Sequence, residues 1–362
     1  MKKIEIIMCK GDKCMKIIEP SATYLNKDRV SPTFFIEQIG RTCYKSLDKI
    51  TEGSDKKFVK ILIKSKHYAM VEHFWIHCVA DCTYRDFMED LNFFSTSVLA
   101  NMGNANDLVK HIEITDCGNH QYISMPIRVA IEMLDMQNNS KYWDGCTFFQ
   151  FLTACASQYG DFFIDAPVSD MDSVFDFYLE EDFIRLLWED LAYFNDEIRK
   201  SEMMKHRTHC IKFITDRGVT HELVRHRPCS FAQESQRYCN YSKDKFGGDI
   251  TFIKPFFFNR NPETPDSVKF DTSNYSIWLA SCESSENAYM RLIENGATPQ
   301  EARTVLPNSV KTEIIMTANE VEWQHILDLR YHGVTGAPHP QMKELMTLIY
   351  PQLVSNSEGR LK

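Results

Sequence analysis

The spacing of hydrophobic and polar residues changes period several times along the chain, and each change marks an element. The run IEIIM, residues 4–8, is short and β-rich, which predicts a strand. Ser31-Pro32 opens a helix, with Ser suited to the cap and Pro to the first helical position. A second helix is predicted over residues 54–65, with Phe58, Ile61 and Leu62 on one face. FWIHCVADC, residues 74–82, reads as a strand. From Tyr84 to about Lys205 the character shifts to helical segments such as FMEDLNFFSTSVL and FIRLLWEDLAYF, separated by loops marked NMGNAND and DMQNNSKYWDG. THCIKFITD, residues 208–216, returns to period two, with Ile211, Phe213 and Thr215 on one face. Thr220 is the expected cap of a short helix running through Val224.

Further on, residues 249–253 read as a strand, and residues 274–294 as a long helix closed by Gly296. PQEARTVL is a short helix stopped by Pro307, VKTEIIMTA is a strand, and residues 321–331 and 341–350 are helices. Helices and strands mix without regular βαβ alternation, which predicts an α+β fold. The expected form is a mixed or antiparallel sheet core with flanking helices, plus a mostly helical insertion.

Composition narrows the chemistry. With 362 residues, 43% of them hydrophobic, the chain can bury a sizeable core. A net charge of −9 argues against a general nucleic-acid or membrane-surface binder, yet it permits a local basic site for a small anion. Twelve cysteines form no C-x-x-C pair, and the apolar run at the N-terminus is too short for a leader. Reduced thiols in a soluble, cytoplasmic protein are the expectation. No G-x-G-x-x-G, P-loop or G-x-S-x-G element occurs, so any phosphate must be held by side chains. His67, His73, His77, Cys78 and Cys82 lie close enough to raise zinc, but their spacing fits no standard site. Packed thiols and a polar histidine are the preferred reading, with no metal.

Charge is concentrated in one place. Between Arg217 and Lys245 there are six basic residues against three acidic ones. Such a run is often only a solvated face. Here LVRHRPCSFAQESQRY, residues 223–238, mixes arginine with Ser230, Gln233, Ser235 and Tyr238, directly after a strand and a helix. That donor set suits an anion together with a heterocycle.

Arg225-His226-Arg227, seven residues, then Ser235 resembles the R-H-R-x7-S signature of the flavin-dependent thymidylate synthases. The longer stretch RHRPCSFAQESQRY resembles the fuller family pattern, departing at Ala232, where the family often has Asn; Gln233 is the neighbour able to make good that loss. HYAMVEH (residues 67–73), GRTCYKS (40–46, with Cys43 where serine is common), ATPQEARTVLPNSVKTEIIMTAN (297–319), HILDLR (325–330) and HPQMKEL (339–345) are similar to other family segments. The resemblance covers about residues 30–83 and 206–350. It implies a discontinuous catalytic core, 1–83 and 206–362, interrupted by an insertion at 84–205 of unassigned role.

The resemblance further implies reductive methylation of dUMP to dTMP with 5,10-methylenetetrahydrofolate, FAD and NADPH, in a homotetramer with sites between subunits. It puts Glu222, Arg225, Gln233, Ser235, Gln236, Arg237, Arg303 and Arg330 at dUMP, with Arg330 catalytic beside the uracil. It puts His73, Arg225, His226, Arg227, Gln233, Asn319 and His325 at FAD. Cys229 lies within the signature, and two flanking arginines favour a thiolate, but the family uses no cysteine there. Each residue also has a plainer reading: Arg303 and Arg330 as surface ion pairs, His73 and His325 as satisfied histidines. An inactive nucleotide-binding paralogue is the alternative function, and a single-stranded nucleic-acid binder a weaker third.

Overall fold

The computed structural model describes residues 4–8, 14–27, 30–81, 108–138, 147–163, 175–243, 248–256 and 274–362. The segment FMEDLNFFSTSVL, the loop NMGNAND and Cys82 lie outside them. Mixed helices and largely antiparallel sheets make the fold α+β, as the irregular alternation predicts. Among the described residues no helix is long and apolar enough to cross a membrane.

Among the described residues, three sheets organise the fold. The first joins β1 (Ile4–Met8) and β2 (Cys14–Ile18) antiparallel, with β10 (Thr251–Ile253) parallel to β2. The second has the order β3 (Ser21–Leu25), β8 (Thr208–Asp216), β11 (Lys311–Asn319), β9 (Ser230–Gln233), all antiparallel. Its two central strands are buried almost end to end, so the alternation in THCIKFITD does not separate a wet face from a dry one. The third sheet runs β5 (Glu113–Asp116), β6 (Gln121–Pro126), β4 (Trp75–Ala80), β7 (Phe175–Tyr178). Beyond the helices expected at 84–205, that segment therefore supplies three strands, and they enclose β4 on both edges.

Each face of the second sheet has its own core. Cys210, Ala232 and Ile315 point to one face, where they join Phe35, Ile36 and Ile39 of α1 (Pro32–Cys43) in one buried cluster. Phe151, Phe162 and Phe163 of the 84–205 segment belong to the same cluster, and Phe162 stacks on Phe74 at 6.1 Å. These three rings are thus packed against the rest of the chain. Ile211, Phe213, Ile314, Met316 and Ala318 point to the opposite face. There they meet α7 (Arg217–Leu223), α10 (Glu320–Leu327) and α11 (Pro340–Asn356). The other helices are α2 (Ser54–Lys64), α3 (Ile127–Asn138), α4 (Thr147–Gln158), α5 (Glu180–Asp190), α6 (Asp196–His206), α8 (Asn274–Glu294) and α9 (Pro299–Ala302).

Local signals mostly act as expected. Ser31 caps α1, its hydroxyl accepting from the Phe34 amide, and Gly296 ends α8 in the left-handed region at φ +92°. Two expectations need correction. In α2 it is Val59 and Leu62 that are buried, whereas Ile61 is 64% exposed on the outer side of the turn. Asp216 caps α7, not Thr220: its carboxylate accepts from the Val219 amide at 2.8 Å and from the Gln341 side chain at 2.6 Å. Thr220 instead donates back to the Arg217 carbonyl from within the helix. Asp216→Ala is expected to cost about 1–2 kcal/mol, as loss of a helix cap does. It would be read as a lower urea midpoint at unchanged m-value, and an unshifted midpoint would show that α7 is held by packing alone.

Candidate active site

The signature loop is anchored at both ends. It leaves the capped helix α7, passes through residues 225–229 and enters β9, the edge strand of the second sheet, whose backbone pairs with β11. Arg330 reaches this loop from the other direction. It sits in a π-helical turn, Asp328–His332, that continues α10 and closes on Gly333 at φ +73°. A Cβ at Gly333 would lie 2.9 Å from the Gly336 carbonyl, so the turn is built around a glycine.

Arg330 holds two groups at once. Its Nη1 lies 3.4 Å from Glu222 Oε2, and its Nε donates to His226 Nε2 at 3.1 Å. An arginine only donates, so His226 Nε2 must be the acceptor and the ring proton sits on Nδ1. Burial, and then the charges of Arg330 and His325, press the His226 pKa down to about 4, so the ring is neutral around pH 7. Its Nδ1 faces Glu322 Oε1 at 3.8 Å. Burial raises Glu322 to about 7, and its Oε1 has no hydrogen-bond partner. His226, Glu322 and His325 bring their ligand atoms within 4.8 Å of one another. With the proton on Nδ1 and Arg330 on Nε2, His226 has no lone pair left for a cation. Cys229 is also not a thiolate: burial and the nearby Glu322 push its thiol up, and Arg227 does not offset them.

A second group forms around Glu234, which sequence reasoning missed. This buried carboxylate accepts from Tyr241 at 2.9 Å and Lys311 at 3.0 Å, and Lys45 lies 3.1 Å away. Lys311 and Lys212 also flank Glu313, both at 2.5 Å. Burial opposes ionisation of Glu313, but Lys311 and Lys212 overcome it and hold the carboxyl at about 2. The alternation K-T-E-I in β11 carried the signal, since charged residues share a strand face with buried Ile315. The backbone of the expected dUMP residues hangs from this network: the Glu234 amide donates to the Glu313 carbonyl at 2.8 Å and Ser235 to Cys43 at 3.0 Å. Gln236 is buried with Nε2 unpartnered. Arg217 feels both Arg303 and Glu234, which brings Arg303 to the same region.

The Glu313 pair has a pH signature. Its folded pKa is depressed, so its contribution to stability is present above about pH 4.5 and is lost as pH falls through about 2. Glu313→Gln is therefore expected to be less stable than wild type near neutrality, with the gap closing over that acid window. A gap independent of pH would remove the ion pairs as its cause.

The expected residues do not all converge. Glu222, His226, His325 and Arg330 form one cluster, on the side of the sheet that carries α7. His73 is wholly buried on the opposite face, Nδ1 at 2.8 Å from Thr317 Oγ1, and burial lowers its pKa to about 3. Asn319 shares that face and is occupied in capping α10 and in bonds to Glu113 and the Lys205 carbonyl. Gln233 donates to Thr220 at 2.8 Å. Being adjacent to Ala232 on a strand it points the other way, so it does not stand in for the missing Asn side chain. Ala232 itself is fully buried in the core cluster. Arg225, Arg227, Arg237 and Arg303 are exposed, and no ion pair engages them among the described residues. Behind the loop, Pro228, Cys229 and Ser230 face Leu108, Arg128 and Glu132 across a cavity of about 230 Å³.

The family model described as thymidylate synthase complementing protein matches residues 191–355. A flavin-dependent thymidylate synthase of Geobacter sulfurreducens is 32% identical over 114 residues, 32% of this chain and 43% of that protein. The same-named protein of Pyrococcus furiosus is 35% identical over 114 residues, 32% of this chain and 42% of its own length. The chain thus spans about two fifths of the curated relatives it matches. A crystal structure of a UMP/dUMP methylase PolB from Streptomyces cacaoi, bound with 5-Br dUMP, shares 19% identity at a TM-score of 0.35. That superposition covers 49% of this chain and 80% of the methylase, too loosely to carry a conclusion.

Proposed function

Because residues 191–355 match the family model described as thymidylate synthase complementing protein, we propose that this chain is a flavin-dependent thymidylate synthase. It would convert dUMP to dTMP with 5,10-methylenetetrahydrofolate as one-carbon donor, FAD as cofactor and NADPH as reductant. The observation that carries the reading is the junction of Arg330 with Glu222 and His226, which joins the signature to HILDLR.

The donor set fits FAD and a nucleotide. Four exposed arginines without ion-pair partners among the described residues are suited to a pyrophosphate and a phosphate, since a guanidinium offers two parallel donors and keeps its charge. Arg225, His226 and Arg227 would hold FAD with His325, and bound FAD would supply the hydride. Ser235, Gln236, Arg237 and Arg303 would hold the dUMP phosphate and sugar. Arg330 would sit against the uracil and stabilise negative charge on its carbonyl as C5 becomes nucleophilic. The neutral His226 accepts from Arg330 and fixes the guanidinium's direction, and Glu222 steadies its other edge.

His73 and Asn319 lie on the far side of the sheet from that cluster, so one chain does not gather the whole set. Sites completed between copies, as in a homotetramer, would resolve the division. The departures at Ala232 and Cys43 give no support to an inactive paralogue, since both are packed core residues and Cys43 touches Met70. The discontinuous core, 1–83 and 206–362, would carry the chemistry. The purified protein should be yellow and should release tritium from C5-labelled dUMP when given folate and NADPH. A colourless protein that binds dUMP without releasing tritium would refute the proposal.

A further inference from the structure

A second concavity, of about 410 Å³, lies where α5 and α6 meet the last residues of the chain, and none of its lining residues belongs to the signature. Four cationic side chains border it, Arg185, Lys200, Arg207 and Arg360, against two carboxylates, Glu181 and Glu358. How those charges are already used decides what the pocket can bind. Arg360 is already engaged at all three nitrogens: Nε and Nη2 hold both oxygens of Glu320 at 2.7 and 3.0 Å, and Nη1 holds Glu358 at 3.1 Å. That arrangement also engages one oxygen of Glu358.

Arg207 is not saturated. Its Nη2 reaches only the Asn356 carbonyl at 3.5 Å, and Nε is buried without a hydrogen bond, 3.8 Å from its nearest carboxylate, Glu180. Lys200 is exposed and has no ion pair among the described residues. Among the described residues Arg185 has two solvent-facing contacts at 3.5 Å, to Asp182 and Glu189, which hold a side chain weakly. Three cations with spare donors thus stand against the exposed Glu181 and the second oxygen of Glu358. Trp188 supplies a flat wall, its indole pinned by the Arg199 guanidinium 3.4 Å from the ring centroid.

From this we infer that the pocket binds a small soluble phosphorylated anion carrying a planar ring. Arg207 and Lys200 take the phosphate, and the ring lies against Trp188. A phosphate presents several oxygens in three directions and about two charges, which matches an ammonium and a guanidinium offered seven residues apart along α6, Lys200 within the helix and Arg207 at its C-terminal cap; one carboxylate fills a single fork. The site is independent of the signature arginines.

Inorganic pyrophosphate is the probe and tryptophan emission the readout. Titration of the full chain should change the emission, the change should vanish in Trp188→Phe, and raising salt should weaken it. Lys200→Ala removes an unpaired surface charge and should leave the fold intact while weakening binding about 10-fold, the loss typical of a bond to a charged group. Arg207→Lys should weaken it as well, and Arg225→Ala should leave it unchanged. No Trp188-dependent change at millimolar pyrophosphate overturns the inference. So does undiminished binding in Lys200→Ala, or a signal that disappears in Arg225→Ala, which would assign the anion to the signature loop.

Discussion

Arg330→Ala is expected to reduce tritium release by about 10²–10³-fold, the range for removing one donor from a developing negative charge. Flavin absorbance and thermal midpoint should stay near wild type. The reason is local. Arg330 is about one quarter exposed and ties together two side chains that are themselves fixed by α7 and its cap. Its removal would take away charge at the proposed uracil position without opening the core. Because a transition-state contact lowers kcat and kcat/KM together, both should fall in parallel. Arg330→Lys keeps the charge but not the Nε bond to His226, and should recover only part of the rate. The His226 pKa should rise in Arg330→Ala, since the nearby guanidinium helps to depress it. Undiminished turnover in Arg330→Ala would remove this residue from the chemistry and leave it a surface ion pair.

Glu180→Ala should be the most damaging single change to the fold, at about 3–5 kcal/mol, the range for stripping one partner from a buried charge network. Glu180 is 5% exposed. It accepts from the Thr208 amide at 3.1 Å and the Thr208 hydroxyl at 2.9 Å, meets His77 Nε2 at 3.3 Å and pairs with Lys27. Burial opposes its ionisation, but Lys27, His77 and Arg207 together hold the carboxyl well below the ordinary range. Removing it leaves a buried lysine and an arginine without their carboxylate. These partners come from β4, β8 and the segment before α1, so the loss reaches all three. Urea denaturation at neutral pH measures it. A cost under about 1 kcal/mol would mean the cations relax into solvent, and Glu180 is then not a structural hub.

Much of this fold can be read from the chain because the signals are local. Ser31-Pro32, Gly296, and the strands at 208–216 and 310–319 depend on a few neighbouring residues and appear where the pattern puts them. The strands β5, β6 and β7 could not be read. QYISMP is buried at every position, so it shows no alternation, and EITD and FDFY are too short for a period. Asp216 was overlooked because its competitor Thr220, four residues on, is also a capping residue type. At the site, the resemblance of Arg225-His226-Arg227 and Ser235 to a family signature can be read from the sequence, whereas the bond from Arg330 to His226 cannot. Nor can Glu322 and the Lys45–Glu234–Lys311–Glu313 network, since their partners are distant in sequence and meet only through sheet register. The division of the expected FAD residues between two sheet faces follows from strand parity, which a motif does not encode.

The enclosure of β4 also sets an order of events during synthesis. Ala80 pairs with Gln121 on one side and with Phe175 on the other, and Leu25 pairs with Cys210. A nascent chain that has emerged only as far as residue 81 therefore carries strands whose neighbours do not yet exist. It must keep those bare edges from pairing with other chains until more than half of the protein has emerged. Slowing translation before residue 175 should therefore favour aggregation, whereas a pause after Asn319, when both sheets have their strands, should be tolerated.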